Sequence, residues 1–172
     1  MIKRLFDKYV PFYLAETVHF SLSVTAFPDV FKQYAKDCKK GLVQVGKMHV
    51  VEVHGLTAPK YVINFPTKVH WRHPSKLEYI QKGLIDLVKV VQDLEIKSIA
   101  IPPLGCGNGG LDWKKVRPLI LEAFQPLNVE VHLYEPAGAP PLDKMTLMVP
   151  LLQVEHKISH SILVLMKGNL LK

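Results

Sequence analysis

Pro102-Pro103-Leu104-Gly105-Cys106-Gly107-Asn108-Gly109-Gly110-Leu111-Asp112-Trp113 is the stretch from which the rest of the chain is read. The apolar run Ile96–Ile101 before it predicts a buried strand, and a helix is predicted from Trp113. Four of the chain's ten glycines lie between Gly105 and Gly110. Glycine lets a backbone turn through positive φ and leaves room where a Cβ would stand. Successive amides in such a turn form a concave donor surface that suits a phosphate. Strand, glycine loop and helix in that order also place a ligand at the carboxyl end of a strand in an open α/β sheet. A dinucleotide fingerprint is not expected here, and a Walker loop is excluded because no Lys-Ser or Lys-Thr follows the glycines. Asp112 is placed to cap the helix, so its carboxylate would occupy helix amides that an anion might otherwise use. Any anion is therefore expected on the loop's own amides. A tight strand-to-helix connection with no ligand is the competing reading.

Working outward, Tyr61–Phe65 predicts a strand ended by Pro66, and Met48–Val53 predicts another before it, with hairpin-like spacing. Pro28–Cys38 reads as a short helix stopped by Gly41. Ser75–Leu94 is the strongest helix: Leu77, Ile80, Leu84, Leu87, Val91 and Leu94 form one apolar stripe. Ser75 with Glu78 has the spacing of a capping box. Gly83 inside that helix costs roughly 1 kcal/mol relative to alanine, which suggests a close backbone contact. A helix over Trp113–Phe124 contains Pro118, where a kink is expected. Asn128–Tyr134 alternates as a last strand. The order strand, helix, strand, helix, strand from Tyr61 to Tyr134 implies an α/β fold with right-handed crossovers and a mixed, mostly parallel sheet.

Residues 1–26 form an atypical N-terminal segment in which His19–Ala26 could be a strand. Residues 27–136 make the core domain, and Pro136–Pro141 breaks regular structure. Residues 137–172 are read as a linker and C-terminal tail, either a docking helix or a poorly ordered tail.

With 172 residues and 22% charged residues, the chain fits one globular domain. No apolar run reaches the length of a membrane span, so no membrane partner is expected. Cys38 and Cys106 make no disulfide framework, and a reducing cytoplasm is the default. The eight histidines and two cysteines show no metal-ligand spacing. The net charge of +7 suggests an anionic partner only weakly, and solvated surface lysines account for it better than a nucleic-acid groove does.

Ile63-Asn64-Phe65-Pro66-Thr67-Lys68 with His70-Trp71-Arg72, then Pro102–Trp113, then Val131–Gly138, together resemble a macro domain. The likeness is to the DarG branch of that family, antitoxins that remove ADP-ribose from DNA. The resemblance implies a three-layer α/β/α fold that binds ADP-ribose at the carboxyl ends of its strands. Gly105, Cys106, Gly107, Asn108, Gly109, Gly110 and Leu111 would wrap the diphosphate and proximal ribose, with Thr67 beside them. Lys68 matches the lysine held responsible for de-ADP-ribosylation, and Tyr134 the aromatic near the nucleoside. The implied reaction is hydrolysis of the bond between ADP-ribose and a thymine nitrogen in single-stranded DNA. No cofactor is implied, and a cognate DNA ADP-ribosyltransferase toxin is the implied partner.

A charged lysine beside a diphosphate is a poor nucleophile, so Lys68 is read as a positioning or electrostatic residue or a proton donor. His70, Trp71 and Arg72 suit contact with a single strand, while Trp71 could equally be a core plug. Trp113 is expected under the loop and Cys106 as a buried filler. The likeness begins at about Phe27: Tyr13–Ala26 holds no glycine and no asparagine, where the family has its first ligand loop. Binding of ADP-ribose without turnover, or a remnant with little activity, are the alternative functions.

Overall fold

A computed structural model describes residues 27–53, 59–70 and 72–136 in full, and 161–167 as backbone. The possible strand at His19–Ala26, the missing first loop and the irregular turn at Thr57-Ala58 lie outside the described residues. The elements are α1 (Pro28–Lys39), β1 (His49–Glu52), β2 (Tyr61–Pro66), α2 (Leu77–Asp93), β3 (Ser98–Ile101), α3 (Trp113–Phe124), β4 (Glu130–Leu133) and β5 (Ser161–Lys167). Each element foreseen between Pro28 and Tyr134 is present, with ends shifted by at most two residues.

One sheet joins the five strands in the order β1-β2-β5-β3-β4. β1 and β2 pair antiparallel, His49 opposite Asn64 and Glu52 opposite Tyr61. β3 and β4 pair parallel from Ser98–Glu130 to Ile101–Leu133. β5 enters between β2 and β3, antiparallel to both. Consequently β2, β3 and β4 run in one direction, as the βαβαβ reading requires, but among the described residues only one of the four hydrogen-bonded pairings is parallel. The sheet is mixed; "mostly parallel" holds for strand direction and fails for pairing.

The same strand corrects the reading of 137–172 as a linker and tail, because Ser161–Lys167 occupies a central position in the sheet. The physical reason lies in its composition. Ile162-Leu163-Val164-Leu165-Met166 is apolar at every position, the pattern of a strand covered on both faces, which periodicity alone does not separate from a buried helix.

The layers follow from alternation along β2. Ile63 and Phe65 point to a core formed with Ile80, Leu84, Leu87 and Val91 of α2 and Val116, Ile120 and Phe124 of α3. Asn64 points to the other face, where it meets His49, which in turn meets Asp37 of α1. Helices therefore cover both faces, giving the three-layer α/β/α architecture.

Gly83 has the close contact its position in α2 suggests. A Cβ there would collide with the Phe65 ring, whose edge lies against the helix backbone. Phe65 is itself fully buried, a burial that contributes about 1.5–3 kcal/mol. Leu94 caps the C-terminus of α2, and Glu95 takes the left-handed conformation (φ 50°) while Ile96 N–H donates to Val91 O. α3 continues through Pro118. Substituting Gly83→Ala should destabilise the domain by about 1–3 kcal/mol through overpacking against Phe65. Chemical denaturation of both proteins checks it; equal midpoints would mean that the ring moves aside without cost.

Candidate functional site

Because β2, β3 and β4 point the same way, the segments that follow them emerge at one edge of the sheet. Thr67 and Lys68 follow β2, the glycine loop follows β3, and Tyr134 follows β4, where its N–H donates to Ile101 O at 2.9 Å. Residues far apart in sequence are gathered there by strand direction.

The loop is held by hydrogen bonds of its own. Cys106 N–H donates to Pro103 O (3.2 Å), Gly110 N–H to Gly107 O (3.0 Å) and Leu111 N–H to Gly105 O (3.0 Å). Gly105 and Gly110 adopt positive φ of 70° and 74°. At Gly105 a Cβ would also stand 2.9 Å from Leu111 Cδ1 and 3.1 Å from Ser75 Cβ, so glycine is required twice over. Asp112 caps α3 as foreseen, its carboxylate accepting from Lys114 N–H at 2.9 Å. Gly105, Gly107 and Gly110 do stand at the spacing of the dinucleotide fingerprint, against expectation. What sets them apart is that the helix starts only after the Asp112 cap, so the glycines form a loop ahead of it and not its first turn.

Two contacts from the 67–75 segment fix the loop from the side. Lys68 is 2% exposed, and its Nζ donates to Asn108 O at 2.6 Å. Ser75 N–H donates to Gly109 O at 2.9 Å. Since β5 separates β2 from β3, their axes lie roughly 10 Å apart. A long side chain is needed to bridge that gap, and lysine supplies it. A trans peptide directs its C=O and N–H to opposite sides. Holding the Asn108 carbonyl on the Lys68 side therefore turns the Gly109 amide the other way. Neither Gly107 N–H nor Gly109 N–H has a hydrogen-bond partner among the described residues.

Ser75 corrects the capping-box reading. α2 begins at Leu77 with Lys76 at the N-cap and no side-chain cap bond. Ser75 instead turns inward to the glycine loop, because its main-chain N–H is committed to Gly109. No side-chain pattern signals a main-chain contact of this kind, which is why the sequence does not show it. The Ser75 hydroxyl, the Thr67 hydroxyl and Trp113 Nε1 are buried with no partner among the described residues, and all three flank this loop. Trp113 packs against the core as expected. Cys106 is partly exposed, not a buried filler, and its Sγ lies 3.5 Å from Leu104 O.

Beyond Lys68 the chain makes an exposed turn. His73 N–H donates to His70 O (3.0 Å), and Arg72 N–H to His70 Nδ1 (3.2 Å). His70 and Arg72 thus sit outside the loop's grip, at the surface beside it. Trp71 lies outside the described residues.

A second polar cluster lies on the opposite face of the sheet. His49 Nε2 is 2.9 Å from Asp37, Asn64 Nδ2 is 3.1 Å from His49 Nδ1, and Gln33 donates to Asp37 at 2.6 Å. Asn64 Nδ2 also reaches the His49 carbonyl at 3.5 Å, which identifies it as the donor end of the amide. Nδ1 of His49 is then the acceptor and Nε2–H the donor to Asp37. Both ring nitrogens are engaged, so the cluster ties α1 to β1 and β2. The His49 and Gln33 hydrogen bonds hold the Asp37 carboxyl below its ordinary value of 3.8, against the opposing effect of burial.

The family model described as "Macro domain" matches residues 24–120. The chain belongs to the macro domain family. It is 54% identical over 113 residues to a DNA ADP-ribosyl glycohydrolase of Mycobacterium tuberculosis (strain ATCC 25618 / H37Rv), covering 65% of this chain and 32% of that protein. The corresponding protein of Thermus aquaticus (strain ATCC BAA-2747 / Y51MC23) is 52% identical over 116 residues, covering 67% of this chain and 32% of that one. The chain spans about a third of the length of these relatives. Among solved structures, the macrodomain of Mycobacterium tuberculosis DarG superposes with a TM-score of 0.66 at 52% identity, over 67% of this chain and 76% of that one. Thermosipho africanus DarTG in complex with ADP-ribose gives 0.63 at 33% identity, over 72% of this chain and 35% of that one.

For this macro domain the Asp37 cluster sets a pH dependence. A carboxyl whose folded pKa is lowered contributes stability above its unfolded value and loses it as pH falls through the folded one. The stability lead of the wild type over Asp37→Asn should therefore be full at pH 6 and shrink as pH falls below about 4. Melting curves across that range check it; a gap constant with pH would mean that the cluster acts through packing alone.

Proposed function

We propose that this macro domain binds ADP-ribose at the glycine loop and hydrolyses its glycosidic bond to a base of single-stranded DNA. The observation that carries the reading is the buried Lys68 ammonium, held 2.6 Å from the Asn108 carbonyl at the rim of a glycine loop whose 107 and 109 amides have no partner among the described residues. A buried cation beside the amides of a glycine loop suits a diphosphate. In this reading Gly105–Leu111 wraps the diphosphate, Thr67 lies beside it and Tyr134 borders the nucleoside end. His70, Trp71 and Arg72 meet the nucleic acid. DNA ADP-ribosyl glycohydrolase is the name of the relatives given above, and ADP-ribose is the ligand named for the Thermosipho africanus structure. That organism also has a protein named as a fusion of a DNA ADP-ribosyl transferase with a glycohydrolase, which supports such a transferase as partner.

The reaction joins a water oxygen to the anomeric carbon as the bond to the base nitrogen breaks, and the base leaves with a proton. Lys68 Nζ donates to Asn108 O, so its role in this reading is that of a cation and donor, not a nucleophile. It stabilises charge building on the leaving base and supplies its proton. A second reading, binding without turnover, is favoured by the absence of glycine and asparagine from Tyr13–Ala26.

Release of ADP-ribose from a modified single-stranded oligonucleotide tests the proposal. Lys68→Ala should lower the rate by about 10²–10⁴-fold while the protein remains folded. Binding of ADP-ribose with no release by the wild type would establish the second reading. Release undiminished in Lys68→Ala would remove Lys68 from the mechanism.

A further inference from the structure

The tip of the glycine loop is a β-turn over Gly107–Gly110, closed by Gly110 N–H on Gly107 O at 3.0 Å. Neither Asn108 nor Gly109 takes a positive φ, which makes it a type I turn. A type I turn accepts most residues at its third position, so this arrangement does not by itself call for glycine at 109. The peptides on either side are fixed: Gly107 O accepts from Gly110 N–H, and Gly109 O accepts from Ser75 N–H at 2.9 Å. Between them the Asn108–Gly109 peptide points its carbonyl at Lys68 Nζ, 2.6 Å away, and its N–H to the other side. That N–H has no partner among the described residues.

This arrangement and a diphosphate seated against Lys68 are in conflict. The anion would meet the Asn108 carbonyl, an acceptor, on its own side and leave the Gly109 donor on the far side. One rotation removes the conflict. Turning the Asn108–Gly109 peptide by about 180° converts type I into type II and keeps the Gly107–Gly110 hydrogen bond. It requires a positive φ at residue 109, which glycine takes without a steric penalty. The rotation withdraws Asn108 O from the Lys68 ammonium and brings the Gly109 N–H to that side, so that cation and donor face one anion. We propose that Gly109 is a positioning residue whose peptide turns over when a diphosphate engages Lys68, exchanging the Asn108 carbonyl for the Gly109 N–H. The inference deepens the proposed function and rests on it for the diphosphate. The same exchange ties the availability of the Lys68 ammonium to a seated ligand.

The test is calorimetric titration of ADP-ribose into the full chain and into its Gly109→Ala and Gly109→Asn variants, with a melting curve for each. Alanine fits a type I turn, so Gly109→Ala should melt with the wild type. Its Cβ resists the left-handed region, and its affinity for ADP-ribose should fall about tenfold. Asparagine is larger than alanine yet enters that region, so Gly109→Asn should bind within about threefold of the wild type. That order separates a turning peptide from a crowded site, where the larger side chain binds worse. Variants that bind equally, or asparagine weaker than alanine, would overturn the turning peptide, while binding by the wild type would uphold ADP-ribose as the ligand. A wild type that gives no heat would sink the proposed function and the inference with it.

Discussion

The contact between the Phe65 ring and the backbone of Gly83 is the constraint on which both the core and the candidate site depend. Phe65 is fully buried and takes up the space that a side chain at 83 would fill, so α2 settles directly on the sheet. The helix cannot be raised without opening a cavity, nor lowered without a clash. Its height also sets the position of Ser75, two residues before its first turn, and so allows Ser75 N–H to reach Gly109 O. At the other end of the same short segment, Phe65 lies three residues from Lys68. One packing contact thus positions both residues that hold the glycine loop.

The loop's conformation is therefore imposed from two directions. Its internal turns, with positive φ at Gly105 and Gly110, come from local chemistry that glycine permits. The orientation of its peptides comes from outside, through the Lys68 ammonium on Asn108 O and the Ser75 amide on Gly109 O. With the Asn108 carbonyl drawn towards Lys68, the Gly109 amide of the same peptide faces the other way. The buried hydroxyls of Thr67 and Ser75 and the indole N–H of Trp113 gather around this loop. Such groups usually find partners in a domain interior, and their concentration here marks the loop as a place where stability is not the only requirement.

The opposite face of the sheet shows a different use of polar groups. Gln33, Asp37, His49 and Asn64 satisfy one another, each with a partner within hydrogen-bond reach. A connected network of this kind tolerates burial, and it fastens α1 to the β1–β2 hairpin. Among the described residues, a satisfied cluster on the α1 face contrasts with an unsatisfied one beyond the strand ends, which separates what holds this fold from what the fold holds in place.

Much of this was determined by sequence alone. Apolar stripes and alternation place α1, α2, α3 and β1 to β4, glycine density singles out the loop after β3, and Asp112 announces the cap of α3. Those signals are local, arising from helix and strand periodicity and from backbone freedom. Tertiary structure alone decided the rest. Ile162–Met166 has no periodicity to reveal that it lies between β2 and β3, since a central strand is apolar on both faces. Ser75 carries the side chain of a helix cap but acts through its main chain, which every residue except proline possesses. The bridge from Lys68 to the loop depends on strand order, because the gap that lysine crosses exists only once β5 has separated the two strands.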